Sequence, residues 1–125
     1  MTQVTPEGNC PRTMAIEDGG AVREVLDRIG DKWSLLVVAT LREGPLRFGE
    51  LEKRIAGISQ RMLTLTLKHL VEDGLLARTA YAEVPPRVEY EVTELGKTLA
   101  PLVIALAEWA MANREQINAN RSRYR

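Results

Sequence analysis

The chain has 125 residues, 45% apolar and 27% charged, with 17 basic and 17 acidic side chains and a formal net charge of zero. That length suffices for one domain with its own core, which makes a disulfide or metal staple unnecessary, and the composition excludes a mainly disordered chain. One cysteine excludes an internal disulfide, no uninterrupted apolar run of about 18 residues occurs, and the N-terminus lacks a basic start followed by an apolar stretch; the expectation is a cytoplasmic protein with no membrane partner.

Residues 1–20 are rich in Pro, Gly and polar side chains without apolar periodicity, and are predicted to form a flexible arm. AVREVLDRI puts Val22, Val25, Leu26 and Ile29 at helical spacing, and Gly30 stops the helix. Asp31 can cap the next one, KWSLLVVATLRE, whose predicted core face is Trp33, Leu36, Val37 and Leu41. Leu35 and Val38 lie off that stripe, which implies burial on a second side, and Gly44-Pro45 end the helix. In RFGELEKRI, Phe48, Leu51 and Ile55 fall at i, i+3 and i+7, a short helix followed by the turn Ala56-Gly57.

Ser59 is a good N-cap for the helix 59–73, with Ile58 and Leu63 at staple positions. Its inner stripe is Leu63, Thr66, Leu67, Leu70 and Val71, and Gly74 ends it; Glu72 and Asp73 oppose the helix dipole there, so tertiary context must hold that end. The apolar period then switches to two. LLARTAYA and RVEYEVT predict a β-hairpin around EVPP, with Val88, Tyr90 and Val92 on one face, Arg87, Glu89 and Glu91 on the other, and an extended tip. The remainder is one long helix with a basic end over 113–125. Leu95, Leu99, Leu102, Val103, Leu106, Trp109 and Ala110 form one stripe, Ile104, Ala105, Ala107 and Met111 fill much of the rest, and Pro101 predicts a kink or a break near Ala100. A helix apolar on two sides in a small domain needs two partners: its own core and a second copy of the chain.

The fold class is therefore mainly α with a small β-hairpin wing, a winged helix-turn-helix in which 21–112 form the DNA-binding domain including a dimerisation helix. In such proteins the second helix enters the major groove with its N-terminal residues near base edges. At 100° per residue, Arg61, Thr64, Leu65, Lys68 and Glu72 lie away from the Leu63 stripe, and Gln60 sits in the first turn. Arg61 suits guanine, Gln60 adenine, and Thr64 or Leu65 a thymine methyl, while Lys68, Arg47 and Lys53 suit phosphates; Ser59 starts the helix, and Arg87 beside the wing tip can reach the adjacent backbone or minor groove. Charge distribution supports one positive surface on a neutral chain: residues 42–69 hold Arg42, Arg47, Lys53, Arg54, Arg61 and Lys68 against Glu43, Glu50 and Glu52, whereas residues 71–95 hold Arg78 and Arg87 against six acids. The bland alternative for each is a solvated surface charge.

GDKWSLLVV, GPLRFGELEKRIAGISQRMLTLTLKHLVEDGLLAR, YAEVPPRVEYEVTELGKTLAP and Trp109 together resemble the HxlR family of bacterial regulators, dimeric winged-helix proteins akin to the MarR group. The resemblance covers about residues 20–112. It implies a homodimer through the first and last helices, which on this chain points to Val22, Val25, Leu26, Leu102, Leu106, Trp109 and Met111, and two reading helices on a pseudo-palindromic operator in double-stranded DNA. Relatives of this kind carry polar residues such as Gln and Arg in the middle of the reading helix, where this chain has Leu65 and Thr66, so a different base preference is implied. They often carry a cysteine shortly before the GKW block that senses electrophiles or oxidants; Cys10 stands 23 residues before Trp33, is followed by Pro11 and Arg12, and is a candidate sensor or an inert arm cysteine. Oxidation there can only join two chains or cap the thiol.

The expected function is a sequence-specific, repressing transcriptional regulator, responsive to a small molecule or electrophile; the rival is a winged-helix protein-interaction module that never touches DNA. His69, the only histidine, and Cys10 lack a third partner at metal-ligand spacing, and no Gly-rich phosphate loop occurs, so neither an enzyme nor a metal or other cofactor is expected.

Overall fold

The helices begin and end where local chemistry dictates, and the sheet is set by pairing across forty residues of chain. The computed structural model describes residues 19–124. Its order is α1 (Gly19–Ile29), α2 (Lys32–Thr40), a 3-10 turn (Leu41–Glu43), β1 (Leu46–Arg47), α3 (Phe48–Arg54), α4 (Gln60–Glu72), β2 (Leu76–Tyr81), β3 (Arg87–Val92) and α5 (Glu94–Ser122). Most of the predicted arm, with Cys10, lies outside the described residues. Two units divide between Lys32 and Trp33. In the first, α1 buries no residue, and Val22, Val25 and Leu26 stand exposed along it.

The second unit packs α2, α3, α4 and the start of α5 around a core that includes Val37, Val38, Leu41, Leu51, Leu63, Leu67, Leu70 and Val103. Truncating one such buried leucine to alanine typically costs about 2–5 kcal/mol, so a handful of them decides whether the unit folds. Leu36, expected in the core, is instead 44% exposed, while Ser34, Val37 and Val38 are buried. A helix apolar on two sides leaves periodicity unable to say which side faces inward.

The sheet has three antiparallel strands in the order β1-β3-β2, not the two of a simple hairpin. Leu46 pairs with Tyr90 and Arg47 with Glu89, while Leu76 through Tyr81 run against Val92 through Arg87. Arg47 therefore ends a strand and caps α3 in one residue, and its backbone N–H donates to Glu50 Oε1 at 2.9 Å. The tip between β2 and β3 projects as expected, with Val84 fully exposed and the Val84–Pro85 peptide cis.

Helix α4 ends in a Schellman motif: Gly74 N–H donates to the Val71 carbonyl and Leu75 N–H to the Leu70 carbonyl, with Gly74 at φ +80° and both leucines buried. This motif is local; the tertiary support that Glu72 and Asp73 made necessary comes from Thr93. Thr93 fastens the next helix to that end. Its Oγ1 accepts from Gly96 N–H at 3.0 Å as the N-cap of α5 and donates to the Gly74 carbonyl at 2.6 Å, and its own N–H donates to the Leu75 carbonyl. Thr93→Val keeps the shape but strands one donor and one acceptor. A loss of about 1–3 kcal/mol is expected, read as a lower urea midpoint with an unchanged m-value.

The break expected near Ala100 is absent: α5 runs continuously from Glu94 to Ser122 with Pro101 inside it, and the expected tail is helical to that point. Gly96, Ala100 and Val103 face the core. Leu95, Leu102, Leu106 and Trp109, at i, i+7, i+11 and i+14, are all more than half exposed; Met111 is exposed on a neighbouring face beside Ile104 and Ala107. By length and composition α5 is apolar enough to cross a membrane, with an 18-residue window of mean hydropathy 1.3 that is only 17% buried. No uninterrupted apolar run of that length occurs in it, because Pro101, Glu108 and other polar residues interrupt the apolar side chains.

Candidate nucleic-acid interface

Helix α3, the turn through Gly57 and helix α4 form the helix-turn-helix, and α4 is held in place from behind. Ser59 Oγ accepts from Met62 N–H at 3.0 Å, which fixes the first turn, and Leu63, Thr66, Leu67 and Leu70 are buried. Ser59 is thus occupied as a cap, positioning the helix. The opposite side is open: Gln60, Arg61, Thr64, Leu65 and Lys68 are exposed and line one shallow groove. Leu65 is 43% exposed in the middle of it. The Thr64 hydroxyl donates to the Gln60 carbonyl at 2.9 Å, so its proton is used within the helix. The face combines a long planar cation and an amide at the helix start with an apolar centre and a lysine one turn further on. Those are the groups for reading base edges, touching a thymine methyl and holding a phosphate.

Arg47 and Lys53 stand exposed at the two ends of α3, outside that groove. Sequence spacing did not single out Arg78. It lies opposite Tyr90 in the hairpin register and shares with Lys68, Thr64 and Glu72 a cleft between α4 and the wing strands. Two cations from different elements meet there. Only the strand register, which period-two reading cannot fix across a long loop, would have shown it.

Arg87 stands beside the wing tip, and its side chain is engaged within the wing. Its guanidinium donates through Nε and Nη2 to the two carboxylate oxygens of Glu83, at 3.2 and 2.7 Å, and through Nη1 to Glu89 at 2.5 Å. It also lies 3.8 Å above the Tyr81 ring, and the Tyr81 hydroxyl is 3.5 Å from Glu89. The hydrogen bond from Arg87, with the charges of Arg87 and Arg47 behind it, holds the Glu83 carboxyl below its ordinary range. A lowered carboxyl supports the folded wing above the ordinary carboxylate range, and that support is lost as pH falls through the lowered value. The guanidinium is itself shifted upward, first by Glu83 and then by Glu89.

The helix-turn-helix geometry agrees with what is found among known proteins. Residues 28–118 match the model of the HxlR-like helix-turn-helix family. An HTH-type transcriptional regulator of Methanothermobacter thermautotrophicus is 52% identical over 89 residues, 71% of this chain and 68% of that protein. The solved structure of the transcriptional regulator ytfH from Salmonella typhimurium matches at a TM-score of 0.75 and 40% identity, over 81% of this chain and 90% of that one. The redox regulator HypR matches in its reduced form at a TM-score of 0.73 and 41% identity, over 79% of this chain and 98% of that one. With its family model spanning α2 to α4, the wing and most of the long last helix, this chain belongs to the HxlR-like helix-turn-helix family.

Proposed function

We propose that this protein is a sequence-specific DNA-binding transcriptional regulator of the cytoplasm, a homodimer that lays two α4 helices on a pseudo-palindromic operator and represses by occupying it. The observation that carries the reading is the outer face of α4, where Gln60, Arg61, Thr64, Leu65 and Lys68 are exposed together while the opposite side is buried. Arg61 and Gln60 read bases, Leu65 adds an apolar contact, and Lys68, Arg47, Lys53 and Arg78 hold phosphates. The exposed stripes of α1 (Val22, Val25, Leu26) and α5 (Leu102, Leu106, Trp109), with Met111, join the two copies. It acts by binding, not by catalysis. The effector in this reading is a small molecule or an electrophile; the similarity to HypR, a redox regulator, supports the thiol-responsive form of it, with Cys10 as the candidate thiol.

Arg61→Ala is expected to weaken binding to the chain's own upstream region by about 1–3 kcal/mol and to relax base preference at one position. Lys68→Ala is expected to weaken all sequences alike and to lower the slope of log affinity against log salt by about one. Fluorescence anisotropy across a salt series reads both. If neither substitution changes binding, the groove assignment fails and the rival stands: a winged-helix module whose exposed Leu65 meets another protein.

A further inference from the structure

The wing poses an electrostatic problem. Residues 71–95 hold only Arg78 and Arg87 against Glu72, Asp73, Glu83, Glu89, Glu91 and Glu94, yet a wing beside a duplex approaches a dense row of phosphates. Uncompensated carboxylates there oppose binding. Glu94 is paired with Lys97 at 3.1 Å, away from the tip. Glu83 sits in the tip segment and Glu89 on β3, and Arg87 engages both, bidentate to the first and through Nη1 to the second. Arg87 is itself half-buried, and the Tyr81 ring covers one face of its guanidinium. Each of the three guanidinium nitrogens already donates to a carboxylate, so three of its five N–H donors are committed within the wing. Such a group is poorly placed to hold a phosphate and well placed to hold its neighbours.

Resting on the reading of this chain as a DNA-binding protein, we propose that Arg87 is a positioning residue of the wing, which draws the Glu83 and Glu89 carboxylates onto itself and away from the phosphate path, and does not serve as a phosphate ligand. Arg47, exposed on β1 across from Glu89, remains a cation on the neighbouring strand of the same sheet. The clamp requires all three partners: without Arg87 the wing carries two free carboxylates, and without the carboxylates Arg87 has nothing to cancel.

The test uses the full chain and a 30-base-pair duplex of mixed sequence, with binding followed by anisotropy from low to moderate salt. Arg87→Gln is expected to weaken binding about tenfold at low salt. The triple variant Arg87→Gln/Glu83→Gln/Glu89→Gln is expected to bind at least as tightly as the wild type, with the wild-type salt slope. A merely structural role for Arg87 would not produce that rescue, since the triple variant lacks every charge of the network. If the triple variant is as weak as Arg87→Gln, with a slope lower by about one, Arg87 holds a phosphate and the proposal is overturned. A single variant as tight as the wild type also overturns it. Should Arg87→Gln fail to fold, the triple variant set against the wild type decides: binding at least as tight supports the clamp, and weaker binding with a lower salt slope overturns it. A wild-type protein that does not bind the duplex at all removes the DNA-binding reading itself, a result distinct from binding that is not rescued.

Discussion

Replacing Leu106 by glutamate is expected to split the protein into monomers of 14.0 kDa and to abolish high-affinity binding to a two-half-site operator. Leu106 is 55% exposed, with Leu102 and Trp109 at 66% and 58% on the same stripe of α5. A row of large apolar side chains along several helical turns is more than the scattered exposed leucine of an ordinary surface, and it is the surface that the proposed dimer would bury. A carboxylate in the middle of that stripe would have to be buried without a partner in the proposed dimer, which is costly. Losing the second copy turns two linked binding events into one, and linkage of this kind contributes about 10²–10⁴ in affinity. Light scattering at micromolar concentration reads the first effect and anisotropy on the operator the second. A wild type already at 14.0 kDa would remove the dimer altogether, and a dimeric Leu106→Glu would move the interface elsewhere.

The second large effect is on folding. Gly96 sits in the first turn of α5 where the helix crosses the end of α4, and an added Cβ would overlap the Leu75 carbonyl oxygen and lie 3.3 Å from the Val92 side chain. That carbonyl is not free to retreat, because it accepts the Thr93 N–H. Valine at this position adds three carbons to a contact with no room for one. Overpacking costs about 1–3 kcal/mol and occasionally more; with backbone as the obstacle, Gly96→Val is expected at the top of that range or beyond it. In a domain of this size that lowers the melting temperature by about 10 °C or more, measurable by circular dichroism. An unchanged melting temperature would mean that α5 does not approach the α4 terminus this closely.

Much of this architecture is legible in the sequence because its causes are local. Ser59 and Gly74 announce the ends of α4 through groups within four residues of themselves, and the Leu63–Leu67–Leu70 stripe announces its buried side. The same stripe makes the exposed face of α4 legible by subtraction. What escaped depends on distant pairing. Strand β1 has two residues and hence no period, and its partner Tyr90 lies 44 positions on. The meeting of Arg78 with Lys68 and the grip of Arg87 on Glu89 both follow from the hairpin register, which a long proline-containing tip leaves undetermined in sequence. The exposure of Leu36 escaped for another reason: α2 is apolar around most of its circumference, and composition carries no direction.

Strand β1 has a mechanical meaning. Its two residues bind β3 and run without a break into α3, so the helix-turn-helix and the wing are two arms of one lever. On the proposed reading, such a lever would follow a duplex of the wrong width poorly: where the spacing between major-groove floor and flanking backbone differs from that between α4 and the wing, the base steps would have to bend or twist. Stiff and flexible steps would be told apart at positions that no side chain touches.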